Sequence, residues 1–302
     1  MRVLVTGAGG FIGSNVVRNL LREGDDVAAI VRPGKQTRLD DIAHDFELFP
    51  GDLATPEDWR DALAGWRPDA CIHAAWYAEP GKYLDSTENL SSLRQSLNLL
   101  EELANAGCKH VVGVGTCFEY EMRSEPLRED SRTRPATLYA ACKLAFSLIA
   151  AQRLSQLGVG FAWSRLFYIY GPYEDERRVV PAEVKALTAG AEFPGTSGEQ
   201  VRDYLHVDDV ASALCAISRQ RLQGEFNVCS GVPVTIAGLM QTLGDLLGRP
   251  ELIRLGAFPY RQWEPMYVCG DNERLRTQAG WRPRYELREG LINTIEWWRR
   301  AR

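Results

Sequence analysis

The apolar positions fall into short solid runs, separated by longer stretches in which apolar residues recur at helical spacing. Val3-Leu4-Val5 opens the series, a run suited to a strand buried on both faces of a parallel sheet. From Ser14 to Glu23 the pattern changes to an amphipathic helix, with Val16, Val17, Leu20 and Leu21 apolar and Gly24 at its end. Asp25 to Val31 reads as a second strand and Phe46 to Phe49 as a third. A helix begins near Pro56, and Asp69 to Ala75 is a fourth strand. A long amphipathic helix from about Leu84 to Ala106 stops at Gly107, and Val111 to Gly115 is a fifth strand. Strands alternating with helices predict an α/β fold built on a doubly wound parallel sheet, with any ligand at the carboxyl ends of its strands.

The first strand runs into Gly7, Gly10 and Gly13, spaced three apart. Glycine lets the backbone turn sharply and approach a pyrophosphate, and the start of the following helix attracts negative charge. Gly7, Gly10, Phe11, Ile12 and Gly13 therefore form a candidate dinucleotide site in a Rossmann-type sheet. Arg32 follows the second strand, where an acid would bind the ribose hydroxyls of NAD and a base would meet the 2′-phosphate of NADP. With Lys35 or Arg38 close by, the expectation is NADP(H), with NAD(H) as the other possibility. Asp52 and Leu53 end the third strand, where Asp52 could meet the adenine amino group or cap the helix near Pro56. Ala74 and Ala75 end the fourth strand with room for a cofactor backbone, while His73 reads as a packed residue.

Two further features meet the same edge. Thr116 follows the fifth strand, and Tyr139 and Lys143 lie four apart, hence on one face, in a helix running to about Gln156. An ammonium beside a phenol stabilises the phenolate, so Lys143 is expected to lower the Tyr139 pKa and make it a usable acid/base. Thr116 could hydrogen-bond the substrate oxygen that Tyr139 protonates.

Beyond Pro172 the pattern gives helices at 181–190 and 235–247, a segment at 208–218 that returns to the sheet, and a strand from Phe226 to Cys229. Trp281, Leu287, Leu291, Ile295, Trp297 and Trp298 read as the core that closes a smaller carboxyl-terminal α/β domain. The expected division is 1–171 for dinucleotide binding, with a returning segment near 206–230, and 172–302 mainly for substrate.

Composition narrows the class further. The chain has 302 residues, 45% hydrophobic and 25% charged, and a net charge of -5 without a basic block, which argues against a nucleic-acid partner. No apolar run reaches membrane-spanning length and the chain opens directly on a strand, so a cytoplasmic protein is expected. The seven cysteines are scattered and never paired at metal-ligand spacing, so neither a disulfide framework nor a metal site is expected.

The glycine turn and the Tyr139-x-x-x-Lys143 helix resemble the extended short-chain dehydrogenase/reductases, in particular the NAD(P)-dependent nucleotide-sugar epimerase/dehydratase group. Arg165-Leu166-Phe167-Tyr168-Ile169-Tyr170-Gly171-Pro172 and Arg202-Asp203-Tyr204-Leu205-His206-Val207-Asp208-Asp209-Val210 are similar to two further motifs of that group. The resemblance implies Tyr139 as acid/base, Lys143 on the nicotinamide ribose, Thr116 as the active-site hydroxyl, and Arg202 and Arg261 on the nucleotide diphosphate. Arg202 could instead pair with Asp203 or Asp208. Glu119-Tyr120-Glu121 departs from the family's usual Val-Tyr-Gly ending. Thr116 is followed by Cys117-Phe118, not the Asp-Glu of the 4,6-dehydratases, and Phe118 stands where 3,5-epimerase/reductases carry cysteine.

What remains is NADPH-dependent C4 reduction of a nucleotide-linked 4-keto-6-deoxyhexose, favoured by Arg32. The alternatives are NAD-dependent C4 epimerisation of a nucleotide hexose and a silent cofactor-binding regulator. Surplus apolar residues on the 84–106 and 137–156 helices predict a homodimer through a four-helix bundle, as in family dimers.

Overall fold

In the computed structural model, which describes residues 1–34, 38–260 and 264–300, the apolar runs line up as a parallel sheet. Its amino-terminal strands are β1 (Arg2–Thr6), β2 (Asp26–Val31), β3 (Glu47–Pro50), β4 (Ala70–His73) and β5 (His110–Thr116), and β6 is Gly160–Leu166. The short β7 (Tyr168–Tyr170), β8 (Phe193–Pro194) and β9 (Val201–His206) follow, then β10 (Gly224–Val228). The seven-stranded order is β10-β6-β5-β4-β1-β2-β3 and every pairing in it is parallel. β1 thus lies between β2 and β4, so the chain reverses its direction of winding there and leaves a crevice at the strand ends.

Helices cover both faces because both faces of such a sheet are apolar. They are α1 (Phe11–Arg22), α2 (Arg60–Trp66), α3 (Glu88–Asn105), α4 (Leu138–Gln156) and α6 (Val207–Arg219), whereas α5 (Val179–Thr188) packs in the smaller layer. Val16, Val17 and Leu20 of α1 and Val210, Leu214 and Ile217 of α6 bury one face, with Val3, Val5 and Val112 of the sheet. Leu63, Leu99, Leu103, Phe146 and Leu154 of α2, α3 and α4 bury the other, with Leu4, Cys71 and Val111.

A smaller layer sits beyond the sheet's edge. β9 pairs with β7, with β11 (Pro233–Thr235) and, past α7 (Ile236–Leu247) and β12 (Ile253–Arg254), with β13 (Tyr267–Val268). β12 pairs with β8. The chain ends with α8 (Glu273–Ala279) and α9 (Leu287–Arg300). Leu291, Ile295 and Trp298 of α9 pack with Val180 and Val184 of α5 and Leu239 and Leu243 of α7.

Several expected boundaries shift for local reasons. α1 starts at Phe11, not Ser14, because Gly10 already takes the extended N-cap conformation. α3 starts at Glu88, not Leu84: the Asn89 amide bonds the carbonyls of Tyr83 and Ser86 at 2.6 and 2.8 Å, and Leu84 O accepts from Tyr139 N at 2.8 Å, so that backbone is used in a turn. Asp52 does not cap a helix. Its carboxylate accepts from Ala54 N at 2.9 Å in a local turn, and Thr55 precedes the short 3-10 segment Pro56–Asp58. Trp281 packs on the α6 side, its Nε1 donating to Ser212 Oγ at 2.8 Å, and not in the small-domain core. The seven cysteines are free and buried, and no described helix is long and apolar enough to cross a membrane.

Candidate active site

The turn after β1 is shaped by Gly7, Gly10 and Gly13, and at Gly7 and Gly13 the missing side chain is required. Gly7 adopts φ +68°, and a Cβ there would lie 2.6 Å from Ala75 N and 2.7 Å from the Ala74 carbonyl carbon. A Cβ on Gly13 would lie 2.2 Å from Gly7 O, so α1 packs directly on the turn. Gly10 N donates to Gly7 O at 2.9 Å and Gly10 caps α1, whose first turn, including Phe11, Ile12 and Gly13, carries no acidic residue and receives no side-chain cap. The positive end of α1 is therefore open to an anion beside Ala74 and Ala75. That chemistry fits a dinucleotide pyrophosphate.

Arg32 follows β2 with its side chain 61% exposed, and its Nε lies 3.9 Å from Asp52 Oδ2. The cation expected there is present, and it already faces a carboxylate. Leu53 is buried in the core beside it. Arg38 is half-buried and bonds Tyr173 O at 2.8 Å and Gly9 O at 3.3 Å, tying the glycine turn to the loop that follows β7. Lys35 lies outside the described residues.

Thr116, Tyr139 and Lys143 converge at the end of β5. Lys143 is 3% exposed, and its Nζ donates to Val114 O at 2.6 Å while lying 4.0 Å from the Trp76 ring centre. Burial lowers its pKa to about 7, and the Coulomb pull of Glu119 opposes that. Tyr139 stacks edge-on against Tyr83 at 4.8 Å, and burial raises its phenol pKa above the ordinary value; a hydrogen bond with Thr116 opposes the rise. The expected lowering by Lys143 is thus corrected. Burial sets the direction, and the Lys143 ammonium points to a backbone carbonyl and a Trp face.

His73 is a packed residue, as expected: its ring nitrogens bond Thr6 Oγ1 at 2.7 Å and Ser96 Oγ at 2.8 Å, and burial lowers its pKa to about 3.

Arg202 is 2% exposed and does not pair with Asp203 or Asp208. It bonds Pro265 O at 2.7 Å and Glu264 Oε1 at 3.0 Å, and its guanidinium lies 5.2 Å from the Tyr168 ring centre. Asp203 instead accepts from Ser230 N, Gly231 N and Gly270 N, at 2.7, 2.9 and 3.2 Å. Arg261 lies outside the described residues.

The structure adds residues that spacing did not single out. Tyr83 packs on Tyr139 with Arg178 5.6 Å from its ring centre, and Tyr168, under the Arg202 guanidinium, has Phe118 at 6.2 Å. Glu119 lies beneath Thr116. Its signal was in the sequence as Thr116-x-x-Glu119, the spacing of a capping box, and both reciprocal bonds of the box form.

A parallel sheet with a glycine turn at its winding reversal and a Thr–Tyr–Lys cluster on the adjoining strand end defines an oxidoreductase-type nicotinamide-dinucleotide fold. The chain belongs to the NAD dependent epimerase/dehydratase family, whose model matches residues 3–229. It is 29% identical to UDP-glucose 4-epimerase of Mycolicibacterium smegmatis, covering 99% of each chain. It is 27% identical to dTDP-glucose 4,6-dehydratase of Mycobacterium tuberculosis, covering 99% of this chain and 93% of the relative. Among solved structures, UDP-glucose 4-epimerase of Thermus thermophilus in complex with NAD superposes with a TM-score of 0.89 at 27% identity, covering 100% of both chains.

Proposed function

We propose that the protein carries out nicotinamide-dependent oxidoreduction at C4 of a hexose linked to a nucleoside diphosphate, with Tyr139 as acid/base. The observation that carries this reading is the convergence of Thr116, Tyr139 and Lys143 beside the glycine turn. In it, Gly7, Gly10, Phe11, Ile12 and Gly13 hold the pyrophosphate at the start of α1. Ala74 and Ala75 leave room for the cofactor backbone, and Arg32, Asp52 and Leu53 flank the adenosine. Lys143 holds the nicotinamide ribose, Thr116 and Tyr139 meet the C4 oxygen, and Arg202 and Arg261 hold the nucleotide diphosphate. When bound, the nicotinamide supplies the hydride acceptor or donor. Residues 1–171, with the return near 206–230, form the dinucleotide part, and 172–302 mainly the substrate part.

Two net reactions share this step. The 4-epimerases among the relatives support NAD-dependent C4 epimerisation. Arg32, with no acid at the end of β2, supports NADPH-dependent C4 reduction of a 4-keto-6-deoxyhexose. The Tyr83 ring against Tyr139 suits a deoxygenated sugar carbon. Cys117-Phe118 after Thr116 leaves no acid for elimination there. Incubation with nucleotide hexoses and with their 4-keto-6-deoxy forms, each with NAD or NADPH, separates the two. Epimer formed without net cofactor consumption supports the first, and stoichiometric NADPH consumption the second. Cofactor binding without turnover of either substrate class would support the silent regulator.

Leu90 of α3 and Leu148 and Ile149 of α4 are exposed at 48%, 60% and 45% on packed neighbouring helices. This supports a homodimer through these helices. Light scattering at micromolar concentration should give twice the chain mass, and a monomer would remove the proposal.

A further inference from the structure

Beneath the catalytic cluster lies a chain of buried charge that the oxidoreductase reading does not use. Glu119, fully buried in the turn after β5, receives only donors: Thr116 N at 2.9 Å, Trp163 Nε1 at 2.9 Å and Arg165 Nε at 2.7 Å. Burial raises its pKa and these partners oppose the rise; a carboxyl surrounded by donors has nowhere to direct a proton. Arg165, also buried, gives its other nitrogens to Glu225 at 3.0 and 2.9 Å and to the Tyr120 hydroxyl at 3.0 Å. Arg165 is thus shared between two carboxylates, Glu119 at 2.7 Å and Glu225 at 2.9 Å, and the three together carry one net negative charge beneath the cluster. On that side the Trp163 ring centre is 5.9 Å from Lys143 Nζ. An indole whose N–H donates to an anion carries a more electron-rich face, which attracts a cation more strongly.

We propose that Glu119 is the positioning residue of the catalytic cluster: its carboxylate fixes Thr116 at the end of β5 and, through the Trp163 indole, supplies the counter-charge that keeps Lys143 an ammonium. Every element around Lys143 fits that assignment. β4 offers the neutral His73, β5 the Val114 carbonyl, the loop after β4 the Trp76 face, β6 Trp163 and Arg165, and α4 the un-ionised Tyr139. Glu119 is the group whose charge favours the ammonium, against desolvation.

The inference rests on Lys143 holding the nicotinamide ribose, so it is read out by cofactor binding and not by turnover. Calorimetric titration of the full chain with the nicotinamide cofactor, from mildly acidic to alkaline pH, should show affinity falling as Lys143 loses its proton. In Glu119→Gln the midpoint of that fall should move down by about one pH unit. Trp163→Phe, which leaves Thr116 and Arg165 bonded to Glu119, should give a smaller shift in the same direction; it decides the matter alone if Glu119→Gln does not fold. A wild-type affinity constant from mildly acidic to alkaline pH, or folded variants with the wild-type midpoint, would overturn the proposal. Failure of the C4 reading looks different: no nucleotide sugar is turned over, while the pH dependence of cofactor binding persists.

Discussion

At the glycine turn the chain presents bare backbone to its crevice, whereas around β7 and β9 it buries charged side chains. Gly7 and Gly13 leave no space for a methyl group, and the first turn of α1 carries no carboxylate. Across the crevice Arg202 is buried against Glu264, and Glu183 of α5 is buried with neither carboxyl oxygen hydrogen-bonded within the described residues. Backbone N–H groups serve any dinucleotide alike, because they read only phosphate. Buried charges and unpartnered buried polar groups are both costly, so this region, proposed above to take the substrate, is where the chain spends stability.

The largest effect expected of any substitution falls between these regions, where both ligands would meet. Tyr139→Phe should cut turnover by about 10²–10⁴-fold, the worth of a positioned acid/base, and leave cofactor affinity nearly unchanged. Steady-state kinetics with parallel cofactor titration checks it, and a variant retaining a tenth of the rate would move the proton elsewhere. On the substrate side, Arg202→Ala should raise the nucleotide-sugar KM by about ten- to a hundredfold, since a hydrogen bond to a charged group is worth about 1.5–3 kcal/mol. Cofactor affinity measured in the same variant should not follow; if it did, the two regions would not be separable.

On the cofactor side, Arg32→Ala tests the reductase reading. If Arg32 meets a 2′-phosphate, wild type should prefer NADPH over NADH by about tenfold and the variant should lose that preference. Asp52, 3.9 Å from Arg32, is the built-in competitor, so Asp52→Asn should widen the preference. Equal calorimetric affinities in wild type would leave the epimerase reading standing.

The smallest effect concerns Glu183, whose pKa burial raises from the ordinary 4.5 to about 9. Between those values the folded state holds a proton that the unfolded chain has released. Stability from this group is therefore complete below about 4.5 and is lost as pH rises toward about 9. Glu183→Leu should gain about 1 kcal/mol at neutral pH, by removing a buried polar group without a partner, and should flatten that part of the profile. Denaturant unfolding across the pH range checks it, and an unchanged slope would place the titration elsewhere.

How much was legible in the sequence follows the same division. The glycine turn, Thr116 and the Tyr139–Lys143 pair were readable because each is encoded by spacing within one strand, turn or helix. Arg202 was readable as a residue but not in its partner, because Glu264 comes from a distant loop and no spacing rule links them. The Trp163–Glu119–Arg165–Glu225 chain joins a turn and two strands, and only its capping-box corner left a local trace. The Tyr139 pKa was misjudged for a related reason: Tyr–Lys spacing says that two groups share a helix face, not how deeply they are buried or where the ammonium points.

The central claim is that chemistry occurs at C4 by hydride transfer, with Tyr139 moving only a proton. The most direct measurement is turnover in deuterium oxide, followed by locating deuterium on the product sugar by nuclear magnetic resonance. Hydride transfer at C4 gives product, either C4 epimer or C4 alcohol, with no solvent deuterium on any sugar carbon. Solvent deuterium at C3 or C5 would contradict it, because carbon deprotonation would then be part of the reaction.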